Sequence, residues 1–480
     1  MRSRIVALSA SLLLGAAFAS AGIVLGAPAA TGAEAAGLLP ADSCKVESIN
    51  FSMQQGFPGH FSAARSVGTV RAQALFVDFP DQRIDDPANE MMPIYQRIME
   101  QETAVLEAQS GGRLDIEVET HETWMTLPDP TSAYPPAAGG GWAGDSMTKI
   151  TTEAVRLADP VVDFATIDVI WVFHLSNPSL ARRASADNDL RLEADGRSLT
   201  RHVVMSTSYL PNTIVHETGH TLGLPDLYDV EASNLPQEDP SRTLRFIGQW
   251  DPMSDADSRT QFTGWTLWRL GWIDDHQVRC VDPSIPTEVT LHAVEDRAEA
   301  ALAVVRTEQF RGVAIESRHP EPAPQSDFPD QQAGVLIYVV QGDTTSGQVI
   351  AQSADGRERL TDPESMNAIT LLPGDRYTDP DGGFTVTVLV HAGMSDTVRI
   401  EPVGQPTGSP VDPDDAAVPD DVRATPAAGS VATLPPTGAD PNPAVVLSFG
   451  LLAIGLPIVV AVRARRRVSG AEPRHRGAKR

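Results

Sequence analysis

The chain has 480 residues, 41% of them hydrophobic and 21% charged, a globular composition long enough for two or three domains. Its formal net charge is −26, and because Arg2, Arg4 and a basic tail beyond Ala439 hold cations at the two ends, the stretch between is more acidic still. Such a surface repels phosphates, so no nucleic-acid partner is expected; a solvated ectodomain that takes calcium fits the charge better.

Residues 1–29 read as a secretory signal peptide. Arg2 and Arg4 precede an apolar run from Ile5 to Leu25, and Ala27-Pro28-Ala29 offers a small-x-small cleavage site, with Ala33 as a second. The other reading of this run is a permanent N-terminal anchor. Residues 30–67 then form an N-terminal segment or a removable propeptide.

The folded part is expected from Gly68, with a first domain over 68–280. Ala72–Phe79 is a continuous apolar run of strand character, ended by Pro80-Asp81. Ile94–Ala108 has helical periodicity and stops at Gly111-Gly112. Leu114–Thr120 alternates as a half-exposed strand. A Pro/Gly-rich loop covers 134–144, a second helix Ser146–Leu157, and a strongly apolar strand Ile167–Leu175. His174, at the end of that strand, reads as a packed histidine. Residues 178–200 are polar and read as an irregular surface loop, followed by a short strand His202–Ser206.

Residues 216–226 then spell HExxHxxGxxD. His216 and His220, four apart, share one helix face and can reach one metal ion. Glu217 is placed to act on a metal-bound water, and Gly223 lets the chain turn back to offer Asp226 as third ligand. Three protein ligands and one open position define a catalytic zinc site. Asn212 is the expected N-cap, and Ile214, Val215 and Leu222 the core-facing side. Asp229, Asp251, Asp255 and Asp257 crowd nearby as candidate calcium ligands or as solvated loop acids. Phe262–Trp272 reads as an amphipathic aromatic helix.

Residues 281–402 change pattern to short strands, expected at Glu288–Leu291, Ala301–Arg306, Gly312–Glu316, Gly334–Val340, Ala368–Leu372 and Phe384–Val390. Their spacing predicts an all-β, sandwich-like domain. Asp379 and Asp381 in TDPDGG read as a hairpin turn. Residues 403–433, rich in Pro, Ala, Asp and Ser, predict a disordered stalk. Leu434-Pro435-Pro436-Thr437-Gly438 fits LPxTG, and an apolar segment over 444–462 and Arg463-Ala464-Arg465-Arg466-Arg467 follow it. This three-part signal over 434–480 resembles the cell-wall sorting signal of Gram-positive surface proteins. The resemblance implies a sortase as partner, linkage to peptidoglycan, and a transmembrane stage through 444–462 with the arginines held on the cytoplasmic side.

LFVDFPD (75–81), AQSGGRLDIEV (108–118), HETGHTLGLPDLYD (216–229), WDPMS (250–254) and LWRLGW (267–272) together resemble the immune inhibitor A family of secreted bacterial metallopeptidases, which are metzincin-like. The resemblance spans about residues 68–400. It implies an α/β (α+β) metzincin-like zinc protease domain followed by an all-β region, endopeptidase activity on protein or peptide substrates, and often bound calcium. It also implies zinc on His216, His220 and Asp226, Glu217 as base, and Met253 as the Met-turn residue. Many metzincins carry a tyrosine two residues after that methionine; Asp255 stands there, and Tyr228 is the candidate replacement as oxyanion helper. The two cysteines, Cys44 and Cys280, are expected to pair in a disulfide in an exported protein. The other reading is a Cys44 thiolate that caps the zinc of a latent precursor. The expected function is an exported, wall-anchored zinc endopeptidase. An inactive surface adhesin on a protease fold and a zinc hydrolase acting on a non-peptide bond are the alternatives.

Overall fold

Apolar runs such as Ala74-Leu75-Phe76-Val77 and Ile170-Trp171-Val172-Phe173 leave no polar face, so they suit strands covered on both sides. The computed structural model describes residues 36–49, 51–86, 88–135, 144–175, 184–228, 246–256, 258, 260–297, 299–320, 330–344, 349–357 and 365–404. The strands of the first half are β1 (Leu38–Leu39), β2 (Gly68–Asp78), β3 (Leu114–Thr120), β4 (Met125–Thr126), β5 (Val169–His174), β6 (Ala184–Asp187), β7 (Leu192–Ala194), β8 (Arg197–Leu199) and β9 (His202–Ser206). Those of the second half are β10 (Val278–Val281), β11 (Thr287–His292), β12 (Leu302–Arg306), β13 (Arg311–Arg318), β14 (Gly334–Gln341), β15 (Val349–Ala351), β16 (Arg376–Thr378), β17 (Phe384–Ala392) and β18 (Ser395–Pro402). The α-helices among the described residues are α1 (Met92–Gln109), α2 (Gly144–Ala158), α3 (Leu210–Thr221) and α4 (Gly264–Arg269), so the fold is mixed α/β with sheets predominating.

The first sheet has the order β3-β2-β5-β9-β6, and β4 pairs with β2 off that path. β3, β2, β5 and β9 are parallel, and β6 is an antiparallel edge. Successive side chains leave on opposite faces. Ala74, Phe76, Trp171, Phe173, Val203 and Met205 share a core with Met99 and Leu106 of α1 and Ile214 and Val215 of α3. Leu75, Val77, Ile170, Val172 and Val204 pack on Met147, Ile150 and Ala154 of α2. Burial on both faces explains why these strands lack alternation in the sequence.

The second sheet runs β1-β10-β12-β13-β14-β15 and the third β11-β18-β17-β16. Val305, Val313, Ile315 and Ile337 of the second meet Val386, Val388, Val398 and Ile400 of the third, which makes a β-sandwich. The other face of the second sheet, with Leu302, Val304, Ala314 and Tyr338, joins the core that holds α3 and the tryptophans of α4. The strand β10 crosses the boundary expected at residue 280.

The segment before Gly68 is built into this frame. β1 pairs with β10, Cys44 is disulfide-bonded to Cys280, and the indole N–H groups of Trp265 and Trp272 donate to the carbonyls of Gln55 and Ser66. The Ala64 N–H donates to the Thr221 carbonyl at 2.7 Å, so the segment lies across the end of α3. The pairing of the cysteines leaves no Cys44 thiolate to cap a metal.

Several sequence expectations are corrected. The stretch read as an irregular loop over 178–200 carries β6 and the hairpin β7–β8. Asp195 and Gly196 turn that hairpin with φ of 49° and 69°, the two left-handed residues of a type I′ loop. Ala368–Leu372 is not a strand: a 3-10 turn over Ser365–Ala368 leads to a single bridge between Leu371 and Val335. The aromatic helix shrinks to Gly264–Arg269, capped by the Thr263 side chain and closed at Gly271, where φ is 70°. The leader 1–29, the sorting motif Leu434–Gly438, the apolar segment 444–462, most of the stalk, Asp229 and Asp257 lie outside the described residues. Among the described residues no helix is long and apolar enough to cross a membrane.

Candidate metal centre

The helix α3 begins at Leu210, two residues before the expected N-cap, and Pro211 sits in its first turn, where a missing N–H costs nothing. Its later turns carry His216, Glu217 and His220, all buried. Gly223 then takes φ 86°, a conformation that any Cβ would strain. Its carbonyl is held by the Arg269 guanidinium at 2.9 Å and by the Gln54 N–H at 3.2 Å. The reversal brings Asp226 back onto the two histidines.

His216 Nε2 lies 3.1 Å and His220 Nε2 3.3 Å from Asp226 Oδ1. The Nδ1 atoms face away: His216 Nδ1 is 2.9 Å from the Pro252 carbonyl and His220 Nδ1 is 2.8 Å from the Leu224 carbonyl. A carbonyl only accepts, so each Nδ1 carries the hydrogen, and in the neutral ring the Nε2 lone pair points to Asp226. Carbonyl-anchored imidazoles of this kind are how proteins orient metal-binding histidines. The spacing fits zinc. Ligand atoms on a tetrahedron with ~2.0–2.1 Å bonds stand about 3.3–3.4 Å apart. Asp226 Oδ2 and both Glu217 oxygens are buried without a hydrogen-bond partner. Three orphaned carboxylate oxygens are costly unless an ion and water complete them.

The electrostatics agree. Burial pushes the Glu217 carboxyl up to about 8; His216 opposes the shift and Asp226 adds to it. At Asp226 burial pushes up, but His220 and hydrogen bonds from both histidines outweigh it and hold the carboxyl well below the usual carboxylate range. At His220 burial pulls down, and the charge of Asp226, its hydrogen bond and the Leu224 carbonyl together raise it. Without metal, the Asp226 carboxylate favours a proton on His220, which a cation would replace.

The turn Asp251–Ser254 underpins the cluster. The Pro252 carbonyl aims His216, and the Met253 carbonyl accepts from the Leu227 N–H at 2.9 Å beside Asp226. Met253 is fully buried, and a Cβ placed on Gly219 would stand 2.5 Å from its sulfur. The methionine therefore occupies the space that Gly219 leaves on α3. Asp251 fixes the turn by accepting from the Met253 N–H, the Thr263 N–H, and the hydroxyls of Thr263 and Thr266. That corrects its reading as a solvated loop acid: the carboxylate is buried and accepts from four protein donors. Asp255 is also buried, and among the described residues neither belongs to a group of side chains placed to hold a metal.

Tyr228 is buried two residues beyond Asp226. His174 is fully buried, its Nδ1 3.0 Å from the Leu175 carbonyl, and burial lowers it to about 4, as a packed histidine requires. Asp379 is engaged by Arg311, Tyr377 and the Gly382 N–H at the turn between β16 and β17. Sequence reasoning missed Asn188, buried beyond β6, whose amide donates to the His220 carbonyl at 2.8 Å, and Arg269 on Gly223. Neither has a local signal, since each acts across a long sequence separation.

No family model and no curated protein matches this chain. Among solved structures, the crystal structure of wild-type OgpA from Akkermansia muciniphila is similar at a TM-score of 0.25, with 11% identity over 70% of this chain and 93% of that one. A likeness that faint carries no argument about fold or function.

Proposed function

We propose that the chain is an exported zinc metalloendopeptidase of metzincin-like type, akin to the immune inhibitor A family and held at the cell-wall surface through Leu434–Gly438. The observation that carries this reading is the convergence of His216 Nε2 and His220 Nε2 on Asp226 Oδ1, beside a buried Glu217 carboxylate with no partner.

His216, His220 and Asp226 would hold the ion, and zinc when bound supplies a Lewis acid that polarises a carbonyl and acidifies water. The chain's own residues do the rest. The carbonyls of Pro252 and Leu224 lock the two imidazoles so that no reorganisation is needed when the ion enters. Glu217 is the proton carrier: it takes a proton from the attacking water and returns it to the leaving amine. Burial raises its affinity for that proton, which suits a group that must both accept and release it near neutral pH. Tyr228 is the candidate to steady the oxyanion in place of the tyrosine that Asp255 displaces after Met253.

The test is degradation of casein by residues 30–433, with and without a zinc chelator. Cleavage that stops on chelation and returns on adding zinc supports the reading. A zinc-loaded chain that binds protein but never cuts it, with binding unchanged in Glu217→Ala, would make it an adhesin instead.

A further inference from the structure

A second cluster of metal-ligand side chains lies at the rim of the β-sandwich. The hairpin β17–β18 places His391 opposite Asp396 as register partners, with Nδ1 2.8 Å from Asp396 Oδ1. His319, one residue past the end of β13 in the facing sheet, brings its Nε2 to 3.4 Å from Asp396 Oδ2. The two imidazoles are parallel within 5°, their centroids 5.0 Å apart. Asp396 is fully buried and also accepts the Ser317 hydroxyl at 2.7 Å. The backbone at His319 is held from behind: its main-chain N–H donates to Glu295, which also takes the Arg318 guanidinium.

The decisive atom is His319 Nε2. It is buried, its side chain only 8% exposed, and it makes no hydrogen bond. Asp396 accepts hydrogen bonds from His391 and Ser317, while His319 Nε2 stands 3.4 Å from its Oδ2 outside hydrogen-bond geometry. An unpartnered imidazole nitrogen aimed at a buried carboxylate, with a second imidazole alongside, leaves a place for a Lewis acid.

We propose that His319, His391 and Asp396 form a second metal site, which takes a borderline divalent ion of the zinc class. One ligand atom from each lies within 4.8 Å of the others. Two imidazole nitrogens and one carboxylate oxygen suit zinc, copper or nickel, whereas calcium and magnesium want shells of oxygen. His391, whose side chain is 37% exposed, gives the ion a path from solvent. Because the ligands come from both sheets, the ion would tie the rim of the sandwich together. None of them belongs to the elements that carry His216, His220 and Asp226, so the site stands or falls apart from the peptidase reading.

Zinc uptake by the metal-stripped, exported chain at micromolar free zinc tests this, counted by elemental analysis after equilibrium dialysis. His391→Ala and, separately, His319→Gln should each hold one ion fewer than the wild type, with that ion weakened about 100-fold or more. His391 is exposed at a hairpin end, so its replacement spares the core, and near-ultraviolet dichroism checks that both variants are folded. Folded variants that take up as many ions as the wild type would overturn the proposal, whether or not His216, His220 and Asp226 hold an ion of their own.

Discussion

His216 and Pro252 are joined by a 2.9 Å hydrogen bond between the imidazole Nδ1 and the proline carbonyl, across 36 residues of sequence. This contact couples the helix that carries the ligands to the turn beneath them. The turn is in turn fixed by Asp251, whose carboxylate receives Thr263 and Thr266 at the start of α4. The orientation of one proposed ligand thus depends on residues outside the cluster of His216, His220 and Asp226.

The packing of Met253 against Gly219 gives the first prediction. Gly219→Ala places a methyl group 2.5 Å from the Met253 sulfur in a filled core. Overpacking of this kind costs about 1–3 kcal/mol. Thermal melting should show a lower midpoint, and Met253→Ala in the same chain should recover part of the loss in a double-mutant cycle. Gly223→Ala should cost about 1 kcal/mol or more, because φ is 86° there and the Ala63 methyl is 3.0 Å away.

Much of this site was legible in the sequence because its parts are local. His216, Glu217 and His220 sit within one helical turn and a quarter, and Gly223 and Asp226 follow in a reverse turn with its own chemistry. The central strands were legible for a related reason, since burial on both faces leaves an unbroken apolar run. What escaped was short or polar. The edge strand β6 reads Ala-Ser-Ala-Asp and has no hydrophobic signal, although Asp195-Gly196 marked the hairpin beside it. The roles of Asp251, Asn188 and Arg269 depend on tertiary neighbours, so an acid that read as a solvated loop residue or a calcium ligand is the buried pin of a turn.

The disulfide closes a long loop. Cys44 and Cys280 are separated by 236 residues, and constraining the unfolded chain to that extent contributes about 2–5 kcal/mol. Replacing both with serine should lower the urea midpoint and steepen the slope, because the unlinked unfolded chain exposes more surface, while zinc content stays as in the wild type. Two reactive thiols in the native protein would contradict the pairing.

The contributions of His174 and His202 to stability should fall in mild acid, against the opposite contribution of Glu217, whose carboxyl is raised by burial to about 8. Burial lowers His174 to about 4, and it lowers His202 to about 4 against the opposing charge of Asp187. Unfolded histidine titrates near 6.5, so between pH 6.5 and 4 the unfolded chain binds protons that the folded chain refuses. The stabilisation is complete above about pH 6.5 and is lost as pH drops toward 4, at up to about 3 kcal/mol per histidine. Urea unfolding at pH 7 and pH 5 measures it, and His174→Gln should flatten the slope.

Asp226 is the proposed third ligand, delivered by the turn at Gly223. Asp226→Ala leaves two imidazoles and should weaken zinc at least about 100-fold in competition with a chromophoric chelator. Zinc held as tightly as in the wild type would place the third ligand elsewhere.

Glu217 gives the most direct test of the proposed chemistry, because its carboxylate is buried and partnerless beside the cluster yet binds no part of it. Cleavage of a quenched fluorescent peptide by wild type and Glu217→Gln, each with its zinc counted, separates proton transfer from metal binding. The variant should keep its zinc and lose about 100-fold to 10,000-fold in kcat. A zinc-loaded variant that cuts at the wild-type rate, or a zinc-loaded wild type that cuts no peptide, would contradict the assignment of this site as a peptidase centre.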